Sequence, residues 1–419
     1  MRTVPLNIAM VGTRGVPARY GGFETAVEEV GRRLADAGHR VRVYCRHPSG
    51  PTAAARGQRR RAAPERYLGM ELVHLPALRR RSLETLSHTA LSVGHLVRHR
   101  TDVAFVFNAA NAPLLPGLRL ARIPVATHVD GLEWRRAKWG PAGRRYYRVA
   151  EALAVRWSDA LIADARGIAD YYASEFGAAT RQIAYGAPVI DPGHEALAGL
   201  DLTPGGYHLV VARFEPENHV LEAVEGYVAS PAVKPLVVVG SAPYSTAYTQ
   251  AVTRAADDPR VRLLGGVWDA AVLDQLYANA LTYVHGHSVG GTNPSLLRAV
   301  GAGAATVAWD VPFNREVLRD DGRYFDDPAS LAALLTQAEA DTDAVAARGR
   351  ALVARARDYD WDDVAAAYQT LAQDLAARRV RPSASGRRRR GGRPVRTQAR
   401  EQGSQGQGSQ APEPRTEAR

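Results

Sequence analysis

The sequence predicts an α/β protein made of two doubly wound, mostly parallel-sheet domains. Short β-rich runs alternate with amphipathic helical patterns along most of the chain, which is how a parallel sheet with helices on both faces is written. The alternation stops once, in a Pro- and Gly-rich stretch after Ala184, and then restarts. A chain of 419 residues with 46% hydrophobic content is too long for one ordinary domain and long enough to bury two cores.

In the first series, strands are expected at Asn7 to Val11, Arg40 to Cys45, Leu72 to Leu75, Val103 to Phe107, Ile123 to His128 and Ala160 to Ala163. The break, YGAPVIDPGHEALAGLDLTPGG, reads as a hinge and sets domains at residues 1–195 and 196–377. In the second series, strands are expected at Tyr207 to Val211, Pro235 to Val239, Val261 to Leu264, Leu281 to Val284 and Ala305 to Trp309. Late helices follow, including one over Trp361 to Ala377. The acidic strings at Asp341 to Asp343 and Asp358 to Asp360 fall among these helices and read as helix ends.

The formal net charge is +11, but residues 378–419 hold 12 Arg against 3 Glu, so the rest of the chain is nearly neutral. That tail is rich in Arg, Gly, Gln, Ser and Pro with almost no apolar residues, which predicts disorder. It would either rest on anionic membrane headgroups or stay solvated. A second basic stretch runs from Arg56 to Arg66. The folded part shows no nucleic-acid recognition motif, so no nucleic-acid partner is expected. MRTVPLNIAMVGT runs straight into a strand and no run of about 18 apolar residues occurs, so the expected location is cytoplasmic, with peripheral contact at the inner face of the cell membrane. One cysteine, Cys45, rules out an internal disulfide framework and a multi-Cys metal site.

Ligands of doubly wound sheets bind beyond the carboxyl ends of the strands, so four post-strand segments carry the candidate chemistry. The first, GTRGVPARYGGFETAVEEV, offers Gly21, Gly22 and Glu24 at the start of a helix whose amide groups suit a phosphate or a sugar hydroxyl; alternatively, it is a turn that needs glycine. The second, HVDGLEWRRAKWG, gathers His128, Asp130, Glu133 and Trp134 among basic residues. A carboxylate there suits an acceptor hydroxyl and the tryptophans suit sugar rings; alternatively, it is a basic surface loop with its Trp rings packed on a neighbouring helix.

The third, VARFEPENHVLEAVEGY, places Arg213 where its forked guanidinium suits a diphosphate, with Glu215 and Glu217 nearby. Alternatively, Arg213 pairs with a glutamate and Asn218 caps the next helix. In the fourth, YVHGHSVGGTNPSLLRAVGAG, Asn293 and Pro294 start a helix after a glycine-rich loop. There Gly290, Gly291, Thr292, Asn293 and Ser295 suit a diphosphate, unless the loop only makes a turn. His285 and His287 lack a third ligand at metal spacing, so no metal is expected.

GGFET with GRRLADAGHRVRVY, DGLEWRRAKW, EPENH and HGHSVGGTNPSLL together resemble glycosyltransferase family 4, and within it the bacterial rhamnosyltransferase-like subgroup, over about Ile8 to Leu375. The resemblance implies a GT-B fold, two Rossmann-like doubly wound domains facing across a cleft, with the acceptor on the first and the donor on the second. It implies a retaining, metal-independent hexosyltransferase with no cofactor, using a nucleoside-diphosphate sugar such as dTDP-rhamnose. The acceptor implied is a saccharide or lipid-linked saccharide in cell-surface polysaccharide synthesis. Matched residue by residue, Asp130, Arg213 and Glu217 are the catalytic candidates. Arg213, Gly290, Gly291, Thr292, Asn293, Ser295 and Arg298 are the donor candidates, and Gly21, Gly22, Glu24, His128, Glu133 and Trp134 line the acceptor side. The family usually carries two glutamates with seven residues between them; here those positions are Gly290 and Arg298. A cation cannot accept a hydrogen bond from a ribose hydroxyl, which leaves a degenerate, sugar-nucleotide-binding relative as the alternative.

Overall fold

The computed structural model describes residues 4–18, 22–47, 64–78, 83–129, 131–190, 193–241, 246–380 and 386–388. Two sheets form, and both belong to one packed unit. The first comprises β1 (Asn7–Val11), β2 (Arg40–Arg46), β3 (Arg66–Tyr67), β4 (Met70–Leu75), β5 (Val103–Phe107), β6 (Val125–His128), β7 (Ala160–Ala163) and β8 (Arg181–Gln182), in the spatial order β3-β4-β2-β1-β5-β6-β7-β8. Only the β3–β4 pair is antiparallel. The second comprises β9 (His208–Val211), β10 (Leu236–Val239), β11 (Val261–Gly265), β12 (Thr282–His285), β13 (Thr306–Trp309) and β14 (Arg323–Phe325), all parallel, in the order β11-β10-β9-β12-β13-β14. This is the expected fold class.

Parallel strands covered on both faces read as unbroken apolar runs, and VAFVF in β5 and LVVV in β10 are buried at every position. Helix Gly22–Asp36 buries Ala26, Val27, Val30, Gly31 and Leu34, one face of a 3.6-residue period. The strands missing from the sequence reading, β3, β8 and β14, have two or three residues each and no apolar run long enough to mark them.

In both sheets the strand order reverses direction around the first strand, leaving a crevice between the carboxyl ends of β1 and β5 and another between those of β9 and β12.

Two boundaries differ from expectation. Helix Trp361–Ala376, assigned by chain order to the second domain, packs on the first: Tyr368 meets Phe105 edge-on with ring centroids 5.1 Å apart, and Asp362 pairs with Arg33 at 2.5 Å. Amphipathic periodicity marks the helix but not which sheet its apolar face covers. The expected disorder from residue 378 onward also fails where the tail is described. Arg379 pairs with Asp374 at 3.0 Å, and Arg388 pairs with Glu151 at 2.9 Å and Glu175 at 2.6 Å. Glu151 is buried, and a buried carboxylate needs a cation that composition alone does not reveal. Residues 389–419, and the basic stretch through residue 63, lie outside the described residues. No described helix is long and apolar enough to cross a membrane.

Candidate active site

Where the two domains meet, the helix starts at Gly22 and Pro294 face each other so closely that a Cβ on Gly22 would lie 2.6 Å from Pro294 Cγ. Gly291 lies against the Asp164 carboxylate at the end of β7, and the Thr292 hydroxyl donates to the Asp164 carbonyl at 2.7 Å. Gly131 and Gly290 touch backbone to backbone. The glycines of the fourth segment therefore do two things: they turn the chain, and they let the first domain approach.

Helix Pro294–Gly301 starts as the sequence dictates. Asn293 Oδ1 accepts from Ser295 N at 2.9 Å and from Ser295 Oγ at 2.7 Å, while Pro294 occupies the first turn. Beside it, His287 Nδ1 meets Asn218 Oδ1 at 2.7 Å, and Asn314 donates to the His287 carbonyl at 3.0 Å. Burial pushes His285 down to about 3 and His287 well below its ordinary range, the latter also under the charges of Arg136 and Arg213. Both imidazoles are held neutral. Asn218 does not cap the next helix, which starts at Val220; its amide donates to the Arg213 carbonyl at 2.8 Å, because a turn of 3-10 helix at Pro216–Asn218 points it inward.

Arg213 keeps 56% of its side chain exposed and pairs with Glu215 at 3.5 Å. Glu217 is buried, with both carboxylate oxygens lacking a hydrogen-bond partner. Its nearest cation comes from the other domain: Arg136 Nη1 lies 3.8 Å from both Glu217 and Glu215, while Arg136 Nε meets Glu133 at 2.6 Å. Burial alone would raise the Glu133 carboxyl, but Arg136, Lys138 and the Trp139 indole hold it below its usual range. Glu133 thus braces its own loop.

Several expected ligand residues make contacts within the protein. His128 is buried in an aromatic cluster of Phe23, Phe107 and Tyr185, and burial pushes it down to about 3. As the last residue of a strand covered on both faces, it belongs to the core. Trp134 packs under the Arg135 and Arg148 guanidiniums, each 5.3 Å from its ring, and Trp139 lies on Tyr147. Those rings face helix Pro141–Trp157. Glu24 accepts from Arg14 N at 3.0 Å and so clips the first glycine loop. Arg298 pairs with Asp274 at 2.5 Å, turned toward helix Ala270–Ala278. Gly21 and Asp130 lie outside the described residues. Among the described residues, no three His, Cys, Asp or Glu side chains stand close enough to hold a metal ion.

A glycosyl transferase 4-like domain model matches residues 21–186, and a glycosyl transferases group 1 model matches residues 207–341, one for each sheet. The chain is a glycosyltransferase of the GT-B type. The transferase is similar in fold to sucrose-phosphate synthase from Thermosynechococcus elongatus, with a TM-score of 0.73 at 18% identity over 89% of this chain and 99% of that one. It is also similar to Anabaena HepE in complex with UDP, with a TM-score of 0.66 at 17% identity over 88% and 99%. A third is α,α-trehalose-phosphate synthase (UDP-forming) from Burkholderia vietnamiensis, with a TM-score of 0.64 at 14% identity over 89% and 100%. At these identities the likeness establishes the fold. No curated protein sequence matches the chain.

The transferase also holds three residues that the sequence reading did not select, Asp164 and Arg136 at its domain junction and Asn111 beside the first glycine loop. Asp164 follows β7 directly, and Asn111 follows β5 and is fully buried, its amide donating to the Phe107 carbonyl at 2.8 Å. Arg136 lies in the segment after β6. Asp164 and Asn111 obey the same post-strand rule with no glycine cluster or paired motif to mark them, whereas Arg136 stands in the second candidate segment among other basic residues.

Proposed function

We propose that this transferase moves a hexosyl group from a nucleoside-diphosphate sugar, bound at the β9/β12 crevice, to a saccharide acceptor held by the first domain, with retention of configuration. The observation that carries this reading is the convergence, at one crevice, of the Asn293-capped helix start, Arg213 and the buried Glu217. Helix amide groups and a guanidinium are the donors a departing diphosphate requires, and they act most strongly when preorganised out of bulk water. Glu217, whose two oxygens accept no hydrogen bond among the described residues, suits the hydroxyls of the transferred sugar. Asp130 is proposed to share, with the leaving-group oxygen, the proton of the acceptor hydroxyl. Asp130→Asn is then expected to lower kcat; an intact kcat would refute that role.

HepE, similar in fold, has been solved with UDP-glucose, which supports a nucleotide-sugar donor. A rhamnose-like sugar, metal independence, a lipid-linked acceptor and a role in cell-surface polysaccharide synthesis rest on the sequence resemblance. The basic tail supports a cytoplasmic enzyme in peripheral contact with anionic lipid. The Arg298–Asp274 pair favours the second reading, a nucleotide-sugar binder without turnover, because it puts a cation engaged elsewhere where relatives place an acid.

The decisive experiment is a thermal-shift screen against nucleoside diphosphates and nucleotide sugars, with and without Mg²⁺, followed by turnover with the ligand that binds. Ligand at about 100 times Kd adds roughly 2.7 kcal/mol of apparent stability. A metal-independent shift with turnover supports the proposal. A shift without turnover selects the binder, and no shift refutes both.

A further inference from the structure

The second domain has a cavity of about 380 Å³ at the amino-terminal edge of its sheet, the end opposite the β9/β12 crevice. Its floor is formed where three neighbouring strands begin, at Thr282, Thr306 and Arg323. Helices Pro328–Ala340 and Thr342–Arg355 wall it, contributing the apolar Leu334, Ala338 and Ala344. The volume lies at the small end of the range for ligand pockets.

Two guanidiniums share this space with a single carboxylate, Asp341. Among the described residues, Arg348, half-buried on the wall helix, forms no hydrogen bond or ion pair, and Arg323 forms a long 3.4 Å contact to the Gly322 carbonyl. Burial pushes Arg348 below its ordinary range and the charge of Arg323 pushes it further, which Asp341 offsets in part, so the two cations repel each other within the cavity. The one carboxylate on the wall, Asp341, is engaged as the N-cap of helix Thr342–Arg355, accepting from Ala344 N at 2.9 Å. The Thr306 hydroxyl donates to the Ala304 carbonyl and the Thr282 hydroxyl is held by His208. Two arginines facing one already engaged carboxylate, in a pocket otherwise lined by Ala, Leu and Val with Thr282, Thr306 and Gln337, call for a small anion with an apolar body, since a guanidinium makes its strongest hydrogen bonds to carboxylate or phosphate oxygens.

We propose that this cavity is a second ligand site, separate from the transfer site, which binds a small organic oxyanion, carboxylate or phosphate monoester, between Arg323 and Arg348. The same chain segments connect it to the helix that starts at the β9/β12 crevice. Gly349 of the wall helix lies against the Gly303 backbone, in the turn that ends helix Pro294–Gly301 and leads through Ala305, itself part of the cavity wall, into β13.

The test uses the full chain labelled at alanine methyl groups, titrated separately with acetate and with inorganic phosphate and followed by NMR. Saturable shifts of the Ala338 and Ala344 methyls are expected with at least one probe; which probe produces them separates the carboxylate from the phosphate source. Arg348→Gln should weaken the response about tenfold, the loss of roughly one charge-assisted contact, and Arg348→Lys should restore part of it, which separates a lost ligand contact from a damaged wall. Arg213→Ala, altered only at the transfer site, should leave the response unchanged. No methyl response to either probe, an undiminished response in Arg348→Gln, or a response lost in Arg213→Ala would each overturn the site, whatever the fate of the transferase assignment.

Discussion

The two crevices of this transferase have the same strand order and opposite chemistry. At the β1/β5 crevice the post-strand side chains are engaged with the protein itself: His128 stacks among Phe107 and Tyr185, Asn111 bonds the Phe107 carbonyl, and Glu24 holds the Arg14 amide. At the β9/β12 crevice, charge is left facing the junction: Arg213 is half exposed and Glu217 is buried without a hydrogen bond. The repeated topology therefore supplies two equivalent positions, and the few residues after each strand decide which of them holds charge. Arg136 links the two, since it belongs to the first domain and reaches Glu215 and Glu217 in the second.

The largest effect is expected from breaking that link. Arg136→Met leaves Glu217 as a buried charge without its cation, which should destabilise the fold by about 3 to 5 kcal/mol. Adding Glu217→Gln to the same chain should recover most of the loss. Denaturant melts of the two single variants and the double give the coupling energy; additive losses would show that the two groups do not interact. The exposed Arg315–Asp310 pair is the control, expected to contribute under about 1 kcal/mol.

Next is the asymmetry of charge itself. Arg213→Ala should raise the barrier to transfer by about 2 to 4 kcal/mol if the guanidinium meets the departing diphosphate, and kcat/KM for the donor measures it. Glu24→Gln, on the first crevice, should leave kcat near its original value because that side chain holds backbone. If the two variants lose kcat/KM equally, the division of roles between the crevices is wrong.

How much of this was legible follows the same division. Strands buried on both faces declare themselves, and β1, β5 and β7 were placed to the residue. So was the Asn293 cap, a local interaction between residues two apart. What could not be read is which polar side chains of a loop satisfy one another. Glu133, Trp134 and His128 have the composition of a sugar site, yet Glu133 is taken up by Arg136 and Lys138, and the two rings by packing. Asp164 shows the reverse: a lone acid in an unremarkable stretch acquires its position from the approach of Gly291, 127 residues later in the chain.

Smaller effects probe how tightly the crevices are pressed together. Gly22→Ala puts a Cβ 2.6 Å from Pro294 Cγ, whereas Gly140 has nothing within 4 Å of the same position. The first should cost about 1 to 3 kcal/mol through overpacking and the second very little. Equal melting temperatures for the two variants would mean that the junction opens readily enough to absorb a methyl group.

The smallest effect, and the most specific, concerns Asp164. Burial, reinforced by Glu316, pushes its carboxyl up to about 7 despite the hydrogen bonds it receives from its own amide and those nearby. In the unfolded chain the same group titrates near 3.8. Since the folded state binds the proton more tightly, the contribution of Asp164 to stability is fully present below about pH 4 and is lost as pH rises through about 7. Between pH 6 and 8 that loss should be about 1.4 kcal/mol, one pKa unit's worth of free energy. Asp164→Asn cannot ionise, so the difference in unfolding free energy between variant and wild type should change by that amount across the window, whatever other groups do, because they titrate in both proteins. A constant difference from pH 6 to 8 would mean that Asp164 stays ionised against Gly291, and that the approach of the two domains there does not exclude water from its carboxylate.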